Sequence, residues 1–89
     1  MSLVTKKITP EWFEAIQSGK KDYELRLADF NIEEGDTLRL EEWIDVGDAR
    51  QATGRILEKK VTHVRKVDLN DWIKAQPEIV NEGFFVIRF

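Results

Sequence analysis

The chain has 89 residues, enough for one hydrophobic core and too few for two, so it reads as one domain from end to end. It has no cysteine, which rules out disulfides and cysteine-rich metal sites and suits a reducing, cytoplasmic setting. The formal net charge of −3 speaks against long, nonspecific tracking of nucleic acid, which needs many cationic contacts.

Charge is unevenly spread. Asp29, Glu33, Glu34, Asp36, Glu41, Glu42, Asp45 and Asp48 face only Arg39 in one stretch, whereas Arg55, Lys59, Lys60, Arg65 and Lys66 face only Glu58 in the next. The apolar runs fall far short of the roughly 20 residues of a membrane span, and the first residues lack a signal-peptide layout. No association with a membrane is expected.

Leu3 to Ile8 predicts a short strand. Thr9-Pro10 then predicts a helix start, with threonine capping free N–H groups and proline at the first helical position. Trp12, Phe13 and Ile16 recur at helical spacing as a core stripe, and Gly19 stops the helix. Lys21 to Leu27 predicts a strand with Tyr23, Leu25 and Leu27 on one face and Asp22, Glu24 and Arg26 on the other. Residues 32–36 predict a turn around Gly35, and Thr37 to Trp43 a strand with Leu38 and Leu40 inward. Asp45 to Ala52 predicts a polar loop. Gly54 to Val67 predicts one long strand whose apolar positions change parity, the mark of a bulge or bend. Asp68 or Asn70 is expected to cap a short helix at 71–75, ending before Pro77, and Phe84 to Phe89 predicts the last strand.

The runs Ile8-Thr9-Pro10-Glu11-Trp12-Phe13, Ser18-Gly19-Lys20-Lys21-Asp22-Tyr23-Glu24-Leu25-Arg26 and Glu34-Gly35-Asp36-Thr37-Leu38-Arg39-Leu40-Glu41-Glu42-Trp43 follow in order. The closing Gly83-Phe84-Phe85-Val86-Ile87-Arg88-Phe89 completes a pattern that resembles the ASCH superfamily, and within it the small DUF3850-like group of uncharacterised bacterial and phage proteins. The resemblance implies an α+β fold: a small PUA-like β-barrel with two short flanking helices, and a cleft beside the strand bearing Glu24 and Arg26. It also implies binding of RNA or of a nucleotide-like ligand. One branch of the superfamily is an amidohydrolase that removes acyl groups from the exocyclic amine of cytidine. That branch carries a threonine nucleophile where this chain has Glu24, so its covalent route is not available here.

The candidate ligand site is Lys21, Glu24, Arg26 and Trp43. Arginine offers a planar fork of donors for phosphate or carboxylate. Glutamate accepts from an exocyclic amine or acts as a general base, and lysine holds an anionic group. Trp43, at a strand end beside a polar stretch, is the candidate for stacking on a base; Trp12 is assigned to the core and Trp72 to the second helix. His63 has no cluster of ligating residues near it in sequence, so no metal and no cofactor is expected. No catalytic signature appears. The leading expectation is a module that binds RNA or a nucleotide-like ligand. The alternative is an amidohydrolase-like enzyme on a modified nucleoside, with Glu24 as general base assisted by Lys21.

Overall fold

Thr9-Pro10 ends the first strand and begins a helix, because proline fixes a helical φ and lacks the N–H that the first turn leaves unbonded. In the computed structural model, which describes residues 1–67 and 83–89, this gives strand β1 (Leu3–Ile8) and helix α1 (Pro10–Gln17). Thr9 is extended, but its side chain makes no capping bond; its carbonyl instead accepts the Phe13 N–H at 2.9 Å. Gly19 ends the helix at φ +82°, where its N–H reaches the Ile16 carbonyl and the Lys21 N–H reaches that of Ala15. Strands β2 (Tyr23–Leu27), β3 (Thr37–Val46), β4 (Ala49–Lys60), β5 (His63–Val67) and β6 (Phe84–Arg88) follow.

The strands form two three-stranded sheets, ordered β1-β3-β4 and β2-β6-β5, with β1 parallel to β3 and the other pairs antiparallel. Phe13 and Ile16 of α1 share a buried cluster with Ile8, Ile32, Leu38, Leu40, Val61 and Ile87. Burying each such side chain is worth about 1.5–3 kcal/mol. Phe30 and Phe85 add an edge-to-face pair at 5.3 Å beside it.

This architecture corrects the expected α+β barrel with two flanking helices. Among the described residues the fold is mostly β, with one eight-residue helix and no closed barrel. Two local features connect the sheets. The Val61 N–H bonds to the Asp36 carbonyl while the next amide, of Thr62, bonds to the Arg88 carbonyl, both at 2.8 Å, so the chain crosses from one sheet to the other there. Between β1 and β2 a side chain spans the gap, with Arg26 Nη2 donating to the Lys7 carbonyl at 2.6 Å. The second helix expected at 71–75, and Trp72 with it, lie outside the described residues.

Three further expectations change. The segment from Gly54 to Val67 is two strands in different sheets, not one, so the parity change marks the crossing. The polar stretch from Asp45 to Ala52 is a hairpin rather than a loop: Ile44 pairs with Gln51, Asp45 with Arg50 and Val46 with Ala49, turning at Gly47 with φ +60°. An irregularity sits opposite Glu42, where Thr53, Gly54 and Arg55 of β4 fall between the paired positions Ala52 and Ile56. Finally, Trp12 is 47% exposed rather than part of the core, because an eight-residue helix buries only Phe13 and Ile16.

Candidate functional site

Alternation along β2 is real but turned over relative to hydrophobicity. Glu24 is the buried position, 3% exposed, while Tyr23 and Leu25 lie open at 44% and 55%. A carboxylate taken out of water needs charged or hydrogen-bonding partners, and here it has two. Arg26 Nε donates to Glu24 Oε2 at 2.8 Å, and Lys21 Nζ donates to Glu24 Oε1 at 3.2 Å. Lys21 reaches inward because the Gly19 turn fixes its backbone against the end of α1. Its ammonium also lies 4.3 Å from the centre of the Trp12 ring and 5.2 Å from that of Tyr23, close enough for cation–π attraction.

These groups line a cleft of about 480 Å³ whose other walls are Lys7, Ile8 and Thr9 from the end of β1 and the faces of Trp12, Tyr23 and Leu25. It opens where the edge of one sheet, β1, passes the edge of the other, β2. Arg26 spends Nε on Glu24 and one Nη2 donor on Lys7, which among the described residues leaves Nη1 of its fork for a ligand. Among the described residues Lys21 has one donor contact, on Glu24, and two protons remaining. The chemistry on offer is a cationic cradle around a fixed carboxylate, with two aromatic surfaces next to it.

Lys21, Glu24 and Arg26 are therefore brought together. Trp43 is not among the residues lining this cleft: it is half-buried on β3, and the Lys7 ammonium sits 4.0 Å over its ring. Trp12 stands in the cleft instead. A signal for it existed in the sequence, since the glycine stop after a helix of barely two turns lets the next segment turn back along the helix, where Lys21 reaches Trp12. His63 is exposed on β5, and among the described residues no three His, Asp or Glu side chains gather closely enough to hold a metal ion.

A second polar network lies on the far side of α1. Buried Glu42 accepts from the Thr53 hydroxyl at 2.8 Å and lies 3.6 Å from Arg55 Nε. Arg55 also pairs with Glu14 and stacks over Phe13 at 4.3 Å, and the hydrogen bond it donates to Glu14 raises the guanidinium pKa. This network ties β4 to α1 and shares no side chain with the lining of the cleft. Among the described residues no helix is long and apolar enough to cross a membrane.

The family described as "Domain of unknown function (DUF3850)" matches residues 5–76. The chain is also similar to the "Uncharacterized 12.9 kDa protein in GpA 3'region" of Escherichia phage P2, 40% identical over 68 residues. The aligned part is 76% of this chain and 57% of the phage protein, so the chain spans less than two thirds of that relative. With the family match running from β1 through Lys21, Glu24 and Arg26 and past β5, the chain belongs to the DUF3850 family.

Proposed function

We propose that the chain is a module binding RNA or a nucleotide-like ligand in the cleft of Lys21, Glu24 and Arg26. One observation carries the reading: a buried carboxylate held between two cations, beside the exposed faces of Trp12 and Tyr23. Nucleotides present those three demands at once. Their phosphates need cations, their base edges need a fixed acceptor or donor, and their bases need an aromatic surface. The volume of about 480 Å³ lies in the range of small-ligand sites. Placement of the DUF3850 family within the ASCH superfamily is part of the same proposal and rests on the segments around Pro10 and from Gly19 to Arg26.

A hydrolytic reading has one feature in its favour, the Lys21–Glu24 contact at 3.2 Å. Against it, both Glu24 oxygens already accept from cations and the side chain is buried, so little of the carboxylate is left open to a substrate proton. Binding is the better supported use.

Arg26→Ala removes the cation and its remaining Nη1 donors and is expected to weaken binding of short RNA about tenfold at matched salt while the domain stays folded. Fluorescence anisotropy with a labelled oligonucleotide, checked by circular dichroism, measures both. Unchanged affinity in Arg26→Ala removes the site assignment. Turnover of acylated nucleosides by the wild type, lost in Glu24→Gln, would favour the hydrolytic reading instead.

A further inference from the structure

We infer that the outer face of the β2-β6-β5 sheet continues the cleft as a track for single-stranded RNA, so that the preferred ligand is an oligonucleotide rather than a lone nucleotide. This rests on the nucleotide-binding reading of the cleft. The argument is one of register. Tyr23 of β2 pairs with Arg88 of β6, which pairs with His63 of β5; one row along, Leu25 pairs with Val86 and Val86 with Arg65. Cross-strand partners share a face of a sheet, and every second residue of a strand returns to it. Both rows therefore lie on one face, opposite to the one where Glu24 and Ile87 are buried.

That face carries an aromatic ring, two guanidinium groups and an imidazole on a floor of aliphatic side chains. Tyr23, His63, Arg65 and Arg88 are all exposed. The acid in contact with it is Asp22, 3.7 Å from Arg88, and both partners are open to water, so the pair is weak and Arg88 remains free to exchange it for a phosphate. Arg65 has no ion-pair partner among the described residues.

Continuity with the cleft follows from the position of β2. It is the edge strand, so Tyr23 and Leu25 line the cleft and also begin the two rows. Three strands at about 4.8 Å spacing make the Tyr23–Arg88–His63 row about 10 Å long. A strand whose base sits against Tyr23 at the cleft lip would thus lay its following phosphates over Arg88 and Arg65. Cations beside an aromatic on an open sheet are the chemistry that holds single strands without reading much sequence. Eight of the seventeen acids lie between residues 29 and 48, away from these three strands, and neither row of the face itself carries an acid.

The test compares uridine monophosphate with hexauridylate by anisotropy competition or calorimetry, on wild type, Arg26→Ala and the double variant Arg65→Ala/Arg88→Ala. Wild type is expected to bind the hexamer at least about tenfold tighter than the mononucleotide. The double variant should lose most of that gain, keep the mononucleotide affinity within about twofold, and reduce the salt slope by about 0.7 for each phosphate contact removed. Arg65→Gln/Arg88→Gln, which keeps part of the aliphatic stem and a polar tip without the charge, should reproduce the loss and so separates charge from folding. Equal affinity of wild type for both probes, or full hexamer affinity in the double variant, overturns the track and leaves the cleft standing. Hexamer binding lost in the double variant but indifferent to Arg26→Ala upholds the sheet face and removes the cleft. Binding of neither probe by wild type overturns both.

Discussion

Glu24 concentrates most of the site's energetics in one side chain. A carboxylate that is nearly inaccessible, with one cation on each oxygen, depends on its partners for its stabilisation. Glu24→Gln keeps the shape but turns one acceptor into an NH₂ group facing a cation. The expected cost is about 1–3 kcal/mol, the range for leaving a buried polar group badly matched. Urea denaturation measures it, with the midpoint falling and the slope unchanged. Arg26→Ala should cost less, because Lys21 remains and water can reach the vacated place beside a side chain 25% exposed. A larger loss in Arg26→Ala than in Glu24→Gln would mean that the arginine's bridge to the Lys7 carbonyl, not the carboxylate, holds the cleft together.

The elements explain why the site was partly legible. Gly19, Gly35 and the proline-led helix are punctuation that physical rules read directly, and each stands where those rules put it. Proximity of Lys21, Glu24 and Arg26 was readable because it is local: a helix stop and a two-residue alternation. Which face of β2 is buried was not, because hydrophobicity pointed to Tyr23 and Leu25 while the core side went to an ion cluster. The exchange of sheets at Val61–Thr62 was also hidden, since it depends on bonds to Asp36 and Arg88, far away in sequence.

One element-scale prediction concerns the irregularity in β4. Gly54 sits there at φ +91°, a conformation that side chains disfavour, although a Cβ would meet nothing within 4 Å. Gly54→Ala should therefore cost about 1–2 kcal/mol from backbone strain alone. It should also loosen the hold of Arg55 on Glu14 and Phe13, which hydrogen exchange in α1 would register. Protection of α1 amides unchanged from wild type would show that the helix does not depend on β4.

At the scale of the molecule, the tie at the starting end of the parallel β1–β3 pair lies on Asp36. Its Oδ1 accepts the Ser2 N–H and its Oδ2 the Glu33 N–H, both at 2.8 Å, so one buried carboxylate joins the start of β1 to the turn before β3. Its carbonyl receives the Val61 N–H as well, which places the same residue at the crossing between sheets. The two backbone hydrogen bonds, first that from Glu33 and then that from Ser2, lower its pKa from the ordinary 3.8. A carboxylate with a lowered folded pKa gives stability that is fully present above its unfolded pKa and is lost as pH falls through the folded one. Melting temperature should thus hold above about pH 4.5 and drop below about pH 4, as protonation turns an acceptor into a donor. Asp36→Asn cannot accept on both sides, so it should melt lower at pH 7 and show a flatter acid limb than wild type. If the two proteins lose stability in parallel from pH 5 to pH 2, the acid sensitivity belongs to other carboxylates, and Asp36 is a neutral-pH staple only.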